Sequence, residues 1–117
     1  MRQVQVVPRD NYRLYGAIVA KEVELAHKHK GTFHRSGPKE KDRAKWSHAN
    51  YDGWLNLARS MGEVVAIEVR SKKPDKEWML LRALLGFLDR HFAEKIQAIN
   101  IQMNESYVKP KRRRRRR

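Results

Sequence analysis

Three short stretches of this chain alternate apolar and polar residues with a period of two, and each is apolar on one side only. In Arg2–Val7, Val4 and Val6 oppose Gln3 and Gln5. In Val65–Arg70, Val65, Ile67 and Val69 oppose Ala66, Glu68 and Arg70. In Gln97–Met103, Ile99, Ile101 and Met103 oppose Ala98, Asn100 and Gln102. Successive side chains of a strand point to opposite faces, so each stretch reads as a half-buried β-strand. Strands of this kind need a layer of helices over one face of their sheet and leave the other face to water.

Two helical patterns supply that layer. Asp10 or Asn11 is placed to cap a helix from Tyr12 to Lys30. Leu14, Ile18 and Leu25 form its apolar stripe, widened by Tyr15, Val19 and Val23, and Gly31 provides a stop. Pro74-Asp75 opens a second helix over Lys76–Lys95, with Leu81, Leu84, Leu85, Leu88 and Phe92 on a broad apolar face and Gly86 read as a point of close packing. Between the helices, Trp54–Arg70 reads as a β-hairpin turning at Met61-Gly62, with Leu55 and Leu57 alternating against Trp54, Asn56 and Ala58. Residues 31–53 show no clean period and read as an exposed basic loop, with short strand pieces around Phe33 and Trp46.

The expected fold is a two-layer α+β sandwich in β-α-β-β-α-β order, with helices on one face of a four-stranded sheet. This element order resembles the ferredoxin-like fold. Residues 1–108 are expected to form one domain, followed by a basic tail over 109–117.

Charge carries the functional reading. The chain has 27 Lys and Arg against 13 Asp and Glu, a formal net charge of +14. Eight of the cations lie in Lys109, Lys111 and Arg112, Arg113, Arg114, Arg115, Arg116 and Arg117; without them residues 1–108 carry a net +6, 19 basic against 13 acidic. Adjacent arginines repel one another and have nothing apolar to bury, so the tail is expected to be disordered when free. A second concentration comprises Lys28, Lys30, Arg35, Lys39, Lys41, Arg43 and Lys45. Both sets suit a polyanion, because each Lys or Arg beside a phosphate releases a condensed counterion. Such contacts carry no base information, so the expected function is non-enzymatic, largely sequence-independent binding of DNA or RNA. Phe33 and Trp46 are the candidates for stacking on unpaired bases, although Trp46 and Trp54 suit core or hairpin packing better than a stacking role.

The alternatives have their own residues. An assembly subunit, of coat or scaffold type with a genome-facing basic arm, would use the polar sheet face or an edge strand to bind a second copy. A metal-dependent nuclease would use Asp52 and Glu68, but the strand places Arg70 where such sites need a lysine, and a guanidinium stays protonated. His27, His29 and His34 lack the spacing of a metal site, and no phosphate-cradling glycine loop is present, so no metal and no cofactor is expected. The outward residues Gln3, Gln5, Glu68, Arg70, Asn100 and Gln102 include no aromatic, unlike the sheet faces on which RNA-recognition domains stack bases. The chain has no cysteine, no apolar run of spanning length and no signal-peptide core, so it is expected to work inside the cell, in the cytoplasm or nucleoid or in a eukaryotic nucleus, without a membrane partner.

Overall fold

The structure, a computed structural model, describes residues 1–38 and 40–103. Lys39 and the run Lys109–Arg117, with the expectation of a disordered tail, lie outside the described residues. The elements in chain order are β1 (Arg2–Pro8), α1 (Leu14–His27), β2 (Phe33–Arg35), β3 (Arg43–His48), β4 (Trp54–Arg59), β5 (Val65–Arg70), α2 (Pro74–Phe92) and β6 (Ile96–Gln102). All six strands join one antiparallel sheet in the order β2-β3-β4-β5-β1-β6. The sheet thus has six strands where four are expected, and the element order is two strands longer than the ferredoxin-like one. The long hydrogen-bonded span comes from β1 sitting between β5 and β6, and from the β4–β5 hairpin continuing outward into β3 and β2.

Cross-strand register aligns the apolar sides. Val4 pairs with Ile67 and Val6 with Val65, while Leu57 pairs with Ile67 and Leu55 with Val69. These side chains are all at most 1% exposed. Leu80, Leu81, Leu84 and Leu88 of α2, each 0% exposed, close over them together with Leu14 and Ile18 of α1. Full burial of one leucine contributes about 1.5–3 kcal/mol relative to exposure, so α2 is the principal cover of the sheet. Gly86 is not a packing point: a Cβ there would meet nothing within 4 Å.

The strand pieces expected around Phe33 and Trp46 are β2 and β3, paired with each other and joined to the sheet rather than lying in an exposed loop. Phe33 on β2 and Trp46 on β3 are 5% and 0% exposed, and their rings pack on each other and on Phe87 of α2 at centroid separations of 5.5–6.1 Å. In β3 the core-facing positions are Ala44, Trp46 and His48, so a single large apolar residue is all the periodicity the sequence displays there. Tertiary burial of that one indole recruits the strand.

α1 is shorter than expected at both ends. Arg9–Asn11 forms a 3₁₀ turn with Asp10 and Asn11 at φ 50° and 54°, so neither caps the helix. Asp and Asn are the non-glycine residues that best tolerate that conformation. At the far end, the N–H of Lys30 donates to the carbonyl of Leu25 (2.8 Å) and that of His29 to Ala26 (3.0 Å), with His29 at φ 56°. This is a Schellman stop two residues before the expected Gly31. Glu22 is buried and Val23 is 44% exposed, the reverse of what their polarity suggests. Ile101 and Met103 also remain 38% and 42% exposed. Ile101 shares the helix-side face with Val4 but lies on the outermost strand, where Ile96 and Ile99 are the β6 residues packed against the core.

Candidate functional site

The helix-free face of the sheet presents polar rows built by register. Lys45, Asn56, Glu68, Gln3 and Gln102 lie side by side on β3, β4, β5, β1 and β6. The next row is Arg43, Ala58, Ala66, Gln5 and Asn100, and on the other side come Ser47, Trp54 and Arg70. With strands about 4.8 Å apart, a row of five spans about 19 Å. Two alanines in the middle of one row, flanked by long polar side chains, make the surface concave.

The β2–β3 loop turns this surface into a groove. Ser36, Gly37, Pro38 and Glu40 stand beside the two main rows and enclose a volume of about 850 Å³. The base of the loop is tied down at both ends: the Ser36 N–H donates to the Lys45 carbonyl (2.7 Å), and the Arg59 N–H donates to the Asp42 carbonyl (2.9 Å). An ion pair between Arg43 and Glu40 (3.4 Å) holds the wall to β3, and one between Arg59 and Asp42 (3.8 Å) holds it to β4. Burial, helped by the negative charges of Asp42 and Glu40, pushes the phenol of Tyr15 on α1 above its ordinary pKa.

The groove carries charge of both signs, with Glu40 of the wall paired to Arg43. Arg43 and Lys45 line the β3 side. Glu68 occupies the centre, where its Oε1 accepts from Asn56 Nδ2 (3.2 Å) and from Arg70 Nε (3.3 Å). Lys45 Nζ has no carboxylate in ion-pairing range among the described residues and lies 5.2 Å from the centroid of the half-buried Trp54 ring. Carboxamides of Gln3, Gln5, Asn56, Asn100 and Gln102 fill the rest of the lining. Each offers both donors and an acceptor.

The residues expected to act therefore divide. Arg43 and Lys45 meet at the groove. Lys28, paired with Glu24 at 3.1 Å, and Lys30 sit at the end of α1 on the opposite side of the sheet. Arg35 is exposed at the β2 edge in register with Trp46, and Lys41 is exposed on the loop. Phe33 and Trp46 do not offer ring faces for stacking, because both are core side chains. Asp52 lies in the turn before β4, whereas Glu68 is paired with Asn56 further along the strand, so the two are not brought to one point. No group of three or more His, Asp or Glu placed to hold a metal ion occurs among the described residues. His48 is committed to packing: it stacks on Tyr51 at 4.7 Å, meets Phe33 edge-on at 4.8 Å, and its Nδ1 accepts from the Asn50 N–H at 3.0 Å.

Asn56 lines the groove and Trp54 stands one row beyond it on the same face, so Trp54, for which packing in the core or hairpin is the favoured expectation, is turned to the polar side instead. The signal was present in the alternation with Leu55 and Leu57: once those two face the core, Trp54 and Asn56 must face away from it. Among the described residues, no helix is long and apolar enough to cross a membrane. Comparison of the chain with protein-family models, with curated proteins and with solved structures finds no match, so its function rests on its own residues.

Proposed function

We propose that this is a non-enzymatic nucleic-acid-binding protein whose affinity is largely independent of sequence. The observation that carries the reading is the net charge of +14, of which eight cations fall in Lys109–Arg117. Guanidinium groups contact phosphate oxygens bidentately, and a run of them needs no shaped pocket. Arg43 and Lys45 on the groove side of β3 support it by extending the cationic surface onto the folded body. The reading as a metal-dependent nuclease draws no support from the positions of Asp52 and Glu68.

The test is the salt dependence of binding. With eight counterions released by the tail, log K for duplex DNA falls against log salt with a slope of about −7. A chain ending at Val108 loses most of that slope. Equal affinity and slope with and without residues 109–117 would remove the tail from the mechanism. A second reading, as an assembly subunit, is favoured by one observation: β6 is an edge strand whose Ile101 is 38% exposed, with Met103 just beyond it 42% exposed. Light scattering separates the two, since a chain that stays monomeric at micromolar concentration is no self-assembling subunit.

A further inference from the structure

We propose that the groove on the helix-free sheet face seats a short single-stranded stretch of nucleic acid, with Trp54, one row beyond the groove lining on the same face, as the stacking platform. This rests on the nucleic-acid reading above and adds to it the form of the strand and the residues that hold its bases. Three observations carry it. First, the lining offers two kinds of contact: along β3, Lys45 and Arg43 suit phosphates, Arg43 by exchanging its pairing with Glu40 of the wall (3.4 Å), whereas Glu68, Asn56 and Gln3 in the middle suit base edges. A carboxylate repels phosphate but accepts from exocyclic amino groups. Carboxamides supply donor and acceptor together, as Watson–Crick edges require, and those edges are free only in unpaired bases. Secondly, Trp54 is an indole on the polar face, half-buried and one row from Asn56, with Lys45 Nζ 5.2 Å from its centroid. The ammonium lies over that ring, so a base that stacks there takes its place and leaves the lysine to the phosphate. Thirdly, the volume of about 850 Å³ stands beside a wall formed by the β2–β3 loop. This size lies in the upper part of the roughly 300–1,000 Å³ range of ligand pockets, so it accommodates a few nucleotides.

The experiment uses the full chain and fluorescein-labelled oligonucleotides of about 12 nucleotides, a length within the roughly 4–16-nucleotide sites of single-strand binders. Fluorescence anisotropy reads the affinity for a single-stranded DNA, the RNA of the same sequence, and the blunt duplex. The expected result is that Trp54→Ala weakens single-strand binding about 5- to 100-fold, the range corresponding to one lost base–aromatic stack. Trp54→Phe restores most of it, and duplex binding changes less than twofold. Should Trp54→Ala fail to fold by circular dichroism, the double variant Gln3→Ala, Asn56→Ala reads the same groove through its base-edge contacts and is expected to show the same single-strand-selective loss. Single-strand binding unchanged in the folded Trp54→Ala chain, or in the double variant, overturns the groove assignment while leaving phosphate binding by the tail intact. A full chain that binds none of the three probes at low salt overturns the nucleic-acid reading itself, and the groove assignment with it.

Discussion

Replacing Gly53 with alanine is the sharpest test of how the sheet is assembled. Gly53 ends the turn before β4 at φ +129°, a conformation that side-chain-bearing residues rarely adopt. A Cβ built on it would collide with the carbonyl oxygen of Arg70 and lie 2.6 Å from Leu80 Cδ1 and 2.9 Å from Ser71 Cβ. The first obstacle is backbone at the end of β5 and the second a fully buried α2 leucine, so neither yields as the tip of a free side chain would. Left-handed backbone in a non-glycine residue costs about 1–2 kcal/mol. Forcing an extra carbon into a packed site costs about 1–3 kcal/mol more. The sum, about 2–5 kcal/mol, lowers the melting temperature by on the order of 10–25 °C for a body of this size. Gly62 is the matched control. It has φ +67° but open space where a Cβ would go, so Gly62→Ala bears only the conformational cost of about 1–2 kcal/mol. Thermal and urea unfolding followed by far-ultraviolet circular dichroism measure both variants. A Gly53→Ala chain no less stable than Gly62→Ala would refute the close approach of β4, β5 and α2, and with it the placement of Trp54 opposite Arg70.

Other substitutions and pH changes probe the same packing. Gly86→Ala, in the interior of α2 with nothing within 4 Å of the added carbon, stabilises the protein by about 0.5–1 kcal/mol, and a loss of stability would mean that the helix is packed there after all. Glu77, with a side chain 8% exposed, holds the α-ammonium of Met1 at 3.1 Å and the otherwise unbonded, buried Nη1 of Arg2 at 3.6 Å. Glu77→Gln keeps its shape but removes the charge, and denaturant unfolding is expected to show a loss of about 1–3 kcal/mol. Burial lowers the pKa of His48, helped by the charge of His34, and burial lowers that of His91, helped by Lys21 and Arg90. Both imidazoles therefore fold in the neutral form. Their contribution to stability is complete above the ordinary histidine value of 6.5 and is lost as pH falls through their lower folded values. Melting temperatures are expected to drop between about pH 7.5 and 5.5, and less steeply in His48→Phe; a rise on acidification would contradict the neutral folded state.

Strands β1, β5 and β6, the β4–β5 hairpin and the second helix were legible in the chain because each announces itself through a short-range repeat: period two for the strands, and for α2 leucines at three- and four-residue spacing. The polar character of the open face was legible for the same reason, since Gln3, Gln5, Glu68, Asn100 and Gln102 alternate with core residues. Periodicity states which residues share a face. It is silent on what covers that face and on which strand lies next to which, because those are set by contacts between residues distant in sequence. That is why β3, expected only as a short strand piece around Trp46, is a full sheet member with that indole packed on Phe87, and why Ile101, on the apolar side of β6, stays exposed on the outermost strand. The groove belongs wholly to this second kind of information: its rows draw on five strands, and its wall is the loop that β2–β3 pairing folds beside them. Local alternation placed each of its side chains on a face; the hydrogen-bonded register of the assembled sheet made them neighbours.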